Sequence, residues 1–253
     1  MIRSIIFDLD GTLVKTEHLK ALSYARAATE LCPDDISEAD VLHAYKDVVG
    51  LTRRDVATHL TDRFNLGKQA AQRREDYGVN RAWQAFVQVR LTYYHAMLDN
   101  PDLIRRNRWE HTTDVLEITQ QQGCATGLAT MSRCEQANHV LEILDLKNTF
   151  DFIATRDDVE HGKPDPEIYH LVAGELDTQP TSCLVIEDSP NGVEAALKAG
   201  MQCIAVGTPY TSHSLHQSNL LPARWIIDDP ADLFPKVKEM FRLHRDRPER
   251  IEF

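Results

Sequence analysis

No stretch of this 253-residue chain is apolar for long enough to cross a bilayer, so no membrane span is expected. Basic residues are in deficit: 39 Asp and Glu against 28 Lys and Arg give a net charge of −11. That balance repels the phosphate backbone of nucleic acid, which is therefore not an expected partner, while a small phosphorylated molecule remains compatible with a locally neutralised cleft. The five cysteines, Cys32, Cys124, Cys134, Cys183 and Cys203, contain no CxxC pair. Their odd number leaves at least one unpaired in a monomer, so reduced thiols are expected. Internal repeats and low-complexity segments are also lacking. The opening MIRSIIFDLD meets acidic residues after three apolar ones, too few for the hydrophobic region of a secretion signal. The expectation is a chain that begins here and works in the cytoplasm.

What is present is an ordinary globular composition, 42% hydrophobic and 26% charged, at a length that suits one core with an insertion. Short apolar runs, ATGLAT from 125, FDFIAT from 150, CLVIED from 183 and QCIAVG from 202, alternate with helix-like stretches at about 112–122, 134–144, 166–176, 190–199 and 230–244. Short connections and this alternation predict βαβ units in a parallel sheet. SIIFDL at 4–9 reads as a further strand, but the segment from 16 to 95 carries apolar residues at three- and four-residue spacing and reads as almost wholly helical. The expected fold is α/β: a doubly wound, Rossmann-like parallel-sheet core over 1–15 and 96–253, with an inserted α-helical domain over 16–95. The charged tail RLHRDRPERIEF is expected to be solvated, and monomer and dimer both stay open.

Four signals fall at the carboxyl ends of expected strands, where open parallel sheets bind their ligands. The first is FDLDGTL, with Asp8 and Asp10 two residues apart and Gly11 free to turn the chain. Crowded carboxylates repel unless a cation lies between them, so the pair fits a magnesium site, a nucleophile and a general acid. Alone, DxDG is more often a solvated turn. The second is Thr130, followed by Met131, Ser132 and Arg133 before a helix: hydroxyls and backbone N–H groups suited to a phosphate oxygen, or a helix cap, or both. The third is HGKPDP, where Lys163 offers a compact point charge for phosphate in a turn that the prolines keep out of helix. The fourth is LVIEDSPNG, whose adjacent Glu187 and Asp188 at the end of a buried strand call for a cation, with Asn191 and Glu194 available to cap the next helix.

In this order, with a helical insertion after the first, these elements resemble the haloacid dehalogenase-like hydrolase superfamily, in particular members with a helical cap such as phosphatases and the β-phosphoglucomutase-like subgroup. The resemblance implies Asp8 as the nucleophile that becomes an aspartyl-phosphate and Asp10 as the acid and base. It implies Thr130 and Lys163 as the grip on the phosphoryl group, with Gly11, Met131 and Ser132 near the substrate. Mg2+ would be held by Asp8, the Asp10 backbone carbonyl and Asp188, with Glu187 acting through water. The acid at Asp10 argues against dehalogenation, whose enzymes lack it. Mutases of similar architecture carry a cap histidine at the place of Lys20, yet share a Gly-x-Ser/Thr-Arg cap loop that GLTRR at 50–54 fits, so Arg53 would reach a distal phosphate or carboxylate. The implied activity is release of phosphate from small phosphorylated metabolites, of sugar phosphate or phosphoglycolate type. The alternatives are a phosphomutase and, further off, a non-enzymatic phospho-aspartate signalling domain.

Overall fold

The computed structural model describes residues 1–245. The chain falls into two compact units, Met1–Lys15 with Asn107 onward, and Thr16–Arg106. After the first strand, β1 (Ser4–Phe7), come six helices: α1 (Thr16–Leu31), α2 (Glu38–Tyr45), α3 (Arg53–Arg63), α4 (Gly67–Gln72), α5 (Ala82–Leu98) and α6 (Pro101–Arg106). The helical unit thus ends later than the 95/96 boundary read from the sequence. Asn100-Pro101 looks like a break but starts a helix: Asn100 Oδ1 accepts the Leu103 N–H at 3.1 Å, and proline is well placed at a first helical position. The unit's interior is built around Tyr24, whose ring centroid lies 5.7 Å from those of both Tyr45 and Phe86.

The second unit continues through α7 (Glu110–Gln121), β2 (Ala125–Ala129), α8 (Cys134–Ile143), β3 (Phe152–Ala154), α9 (Glu167–Glu175), β4 (Cys183–Glu187), α10 (Pro190–Lys198), β5 (Gln202–Val206), α11 (Ser212–Ser218), β6 (Ile226–Ile227) and α12 (Leu233–Arg245). Its six strands form one sheet in the order β3-β2-β1-β4-β5-β6, every pair parallel. All residues of β1 and β4 are buried, which explains why they read as continuous apolar runs instead of alternating ones. β6 has two residues and α11 buries Leu215 alone, too little periodicity to be seen in the sequence. Among the described residues no helix is long and apolar enough to cross a membrane. The end of the charged tail, from Asp246, lies outside the described residues.

Strand order reverses at β1, which pairs with β2 on one side and β4 on the other. Phe7 is level with Leu128 on β2 and with Ile186 on β4. The next residue on each strand is therefore Asp8, Ala129 and Glu187, so the register alone gathers three of the four sequence signals at one edge. Such a reversal point is where open α/β sheets leave a crevice for ligand.

Candidate active site

Asp8 extends β1 by one ladder bond, its N–H donating to Ile186 O at 3.0 Å, and its side chain is buried. Leu9 is buried in the core, between the buried Asp8 and the half-buried Asp10. The chain then reverses at Gly11, whose φ of +89° suits glycine and whose N–H donates to Val14 O at 2.7 Å. A Cβ on Gly11 would stand 2.0 Å from Asp188 Oδ2. Gly11 is thus explained by the turn and by the approach of Asp188, with its N–H engaged by Val14 O.

Lys163 ties the site together. Its buried ammonium donates to Asp8 Oδ1 at 2.7 Å, Glu187 Oε1 at 2.6 Å and Ala129 O at 2.9 Å, and sits 5.0 Å from the ring centroid of Tyr169. Glu187 is fully engaged. Its Oε1 also accepts the Tyr169 hydroxyl at 3.1 Å, and its Oε2 accepts the N–H groups of Asp188 and Ser189 at 2.8 and 2.9 Å and the Ser189 hydroxyl at 3.0 Å. Tyr169 and Ser189 are the residues that sequence reasoning missed. Ser189 stands directly after the Glu-Asp pair, a visible cue, whereas Tyr169 is a core residue whose hydroxyl gives no pattern.

Thr130 is fully buried; its N–H donates to Ala154 O at 3.0 Å and its Oγ1 accepts the Ser132 N–H at 3.1 Å. Neither Thr130 nor Ser132 caps α8. The Cys134 N–H at that terminus is held by Asp157 at 2.9 Å, and the Ser132 hydroxyl donates instead to Asp10 Oδ2 at 2.5 Å. Met131 lies behind this loop, its sulfur 3.0 Å from where a Cβ on Gly162 would be. Helix α10 is capped by Ser189, which accepts the Gly192 N–H; Asn191 and Glu194, the expected caps, lie inside the helix. Arg53 belongs to the helical unit, as the first residue of α3 after the capping residue Thr52.

The carboxylates of Asp8, Glu187 and Asp188 each place one oxygen within 4.8 Å of the others, and all three residues are buried. Lys163 supplies one positive charge against three negative ones. Buried carboxylates in such excess need a cation, and an all-oxygen donor set suits a hard divalent ion. The electrostatics point the same way. Burial pushes the Asp8 carboxyl up to about 8, with Lys163 opposing and Glu187 and Asp10 reinforcing the rise. Burial acts likewise on Glu187, but Lys163 and the backbone N–H groups outweigh it and hold that carboxyl below its ordinary value. Burial works against the charge on Lys163 too, and its two carboxylates more than offset this. Asp8 is accordingly the carboxylate that one ammonium cannot neutralise.

A family model described as haloacid dehalogenase-like hydrolase matches residues 5–206. The chain is 27% identical over 224 residues to the validoxylamine A 7'-phosphate phosphatase of Streptomyces hygroscopicus subsp. limoneus, covering 87% of this chain and 93% of that one. It is 28% identical over 201 residues to the phosphorylated carbohydrates phosphatase of Thermotoga maritima, covering 79% and 83%. Among solved structures, a β-phosphoglucomutase from Clostridium difficile superposes with a TM-score of 0.68 at 23% identity, covering 98% of this chain and all of that one, a likeness of fold.

Proposed function

Because this chain belongs to the haloacid dehalogenase-like hydrolase family, we propose that it is a magnesium-dependent phosphatase of small phosphorylated metabolites, working through an aspartyl-phosphate on Asp8. The observation that carries this reading is the position of Asp8, buried at the reversal point of the sheet with one oxygen on Lys163 and two further carboxylates within 4.8 Å. The sugar-phosphate class is supported by the name of one relative, the phosphorylated carbohydrates phosphatase of Thermotoga maritima.

In this reading Asp8 attacks phosphorus as the ester P–O bond breaks, and Asp10 gives its proton to the departing oxygen. Asp10 then takes a proton from water, whose oxygen attacks the same phosphorus; the bond to Asp8 breaks, restoring the carboxylate and releasing inorganic phosphate. Ser132, donating to Asp10, orients that acid. Thr130 and Lys163 hold the phosphoryl oxygens, and Lys163 keeps Asp8 aimed. Asp8, the Asp10 backbone carbonyl and Asp188 would hold the magnesium ion, which neutralises phosphoryl charge when bound. Glu187 serves Lys163 directly and the ion through water, since both of its oxygens are engaged. Arg53 is assigned to a distal anionic group of the substrate.

Hydrolysis is favoured over phosphoryl transfer to a sugar by Lys20. It stands where the resemblance gives the mutases a histidine, and it is paired with Glu17 at 2.7 Å. The test is a panel of phosphate esters assayed for phosphate release with and without magnesium, beside Asp8→Asn. Phosphate release unaffected by that substitution would sink the mechanism, and a requirement for a bisphosphate activator would favour the mutase.

A further inference from the structure

Arg156, half-buried, opens the turn Arg156–Asp158 that follows β3, and its guanidinium faces main-chain carbonyls. Nη1 donates to Val159 O at 2.6 Å and Nη2 to Glu160 O at 3.3 Å. The N–H of the same residue donates to Ser132 O at 3.0 Å. Arg156 is therefore bonded to two loops, the one that carries Thr130 and Ser132 and the one that leads to Lys163. The segment from Val159 to Lys163 belongs to no helix or strand, so no ladder of backbone bonds fixes it. A planar, charged fork does so instead, through bonds stronger than those between neutral groups.

Glu167, the first residue of α9, grips the same segment by its N–H groups. Its Oε1 accepts the N–H of Glu160 at 2.9 Å, and its Oε2 accepts the N–H of His161 at 2.8 Å and faces the His161 ring Nδ1 at 3.2 Å. The N–H groups of Glu160 and His161 hold the Glu167 carboxyl below its ordinary value. Glu160 thus has its N–H on one charged side chain and its C=O on another of opposite sign. Glu167 is itself oriented: its N–H donates to Asp165 Oδ1 at 3.0 Å, and the Asp165 N–H donates to Gly162 O at 3.1 Å. Gly162, directly before Lys163, is packed so closely that an added Cβ would stand 3.0 Å from Met131 Sδ and 3.7 Å from Arg156 Nε.

Lysine carries its charge on a flexible four-carbon stem. The Lys163 ammonium can meet Asp8 Oδ1, Glu187 Oε1 and Ala129 O together only from a main chain that is held in place. We propose that Arg156, with Glu167 opposite it, is a positioning residue for phosphoryl transfer. It fixes the main chain that aims Lys163 at Asp8, and it keeps that lysine in register with Ser132, the donor to Asp10. This deepens the phosphatase reading and rests on it for the duties of Lys163 and Ser132.

The test compares the wild type with Arg156→Met on the best-hydrolysed ester of the phosphate panel, at saturating magnesium. In the variant kcat is expected to fall roughly 10- to 100-fold, the scale of a displacement of about 1 Å at a catalytic group, with KM changed by less than about threefold. Arg156→Lys, which keeps the charge and can reach one carbonyl, is expected to recover part of that loss. An unchanged kcat, or a loss confined to KM, overturns the proposal. A second readout needs no turnover: hydrogen exchange of the amides at positions 156, 160 and 161 should quicken by about tenfold or more in Arg156→Met, while the amides of β1 and β4 keep their rates. Exchange that is unchanged at those positions, or quickened equally throughout, overturns it as well. If Arg156→Met does not fold, as judged by circular dichroism, Arg156→Lys and Glu167→Gln carry the same two comparisons. Should the wild type release phosphate from no ester, the phosphatase reading falls and exchange alone decides. Local quickening then supports the clamp on the Lys163 loop, and its absence overturns it.

Discussion

The Asp188 carboxylate lies so close over Gly11 that one added carbon would stand 2.0 Å from Asp188 Oδ2. Gly11 also holds a φ of +89°, where an L side chain costs about 1–2 kcal/mol. Gly11→Ala therefore has to move either the turn that presents Asp10 or the carboxylate assigned to the metal. The expected outcome is a loss of magnesium affinity of more than about tenfold together with loss of turnover. Isothermal titration with magnesium checks it, and an unchanged affinity would contradict the geometry.

Glu187 and Asp188 are adjacent acids with separable duties. Glu187→Gln puts an amide where Oε1 now meets Lys163 Nζ at 2.6 Å, because the three donors around Oε2 claim the remaining carbonyl oxygen. Two donors then face each other in a buried site, at a cost of about 1–3 kcal/mol. Asp188→Asn removes a charge from a cluster rich in negative charge and should leave metal-free stability intact or slightly raised. Thermal unfolding without metal should thus drop for Glu187→Gln alone, while magnesium binding should weaken most in Asp188→Asn. The opposite ranking would assign Glu187 to the ion directly.

Much of this site was legible because its residues sit where strands end. DLDGT, Thr130 and Glu187-Asp188 each follow an apolar run, and a parallel register needs no long-range information to bring such ends level, whereas Lys163 comes from the loop that follows β3. What the sequence could not carry is contact between side chains on different elements. Tyr169 supporting Glu187, Ser132 turned to Asp10 instead of capping α8, and Asp157 capping it in their place all depend on packing. The late boundary of the helical unit was hidden for a local reason: Asn100-Pro101 has the residues of a chain break and of a helix start alike.

Magnesium and the proton should compete for Asp8. Without metal the folded carboxyl titrates near 8, against an ordinary value of 3.8, so folding retains a proton there. The sign follows: this group favours the folded state most below pH 3.8, and the benefit is lost as the pH rises toward 8. Glu187, held low, works in the other direction and loses its contribution as the pH falls below its ordinary 4.5. A bound cation displaces the Asp8 proton, so apparent magnesium affinity should improve by about tenfold per pH unit approaching pH 8 and then level off. Titration calorimetry at pH 7 in buffers of different ionisation enthalpy should report proton release on binding. Affinity that stays constant from pH 6 to about 9 would contradict the Asp8 value.

Tyr169→Phe isolates the support behind the lysine. The ring stays, with its face toward the ammonium 5.0 Å away, while the 3.1 Å bond to Glu187 Oε1 is lost. Burial and the neighbouring carboxylates push the phenol far above its ordinary value, so the hydroxyl is a donor at every usable pH and its deletion removes one donor from Glu187. The loss should be about 1 kcal/mol in stability. Because Lys163 is shared between Asp8 and Glu187, a Glu187 released from Tyr169 draws harder on the ammonium and lets Asp8 drift. Turnover should then fall severalfold while magnesium affinity holds, since Tyr169 touches neither Asp8 nor Asp188. Tyr169→Leu, which removes the ring as well, should cost more in both stability and turnover. Equal kcat in wild type and Tyr169→Phe would mean that the three bonds of the ammonium fix Asp8 without help from below.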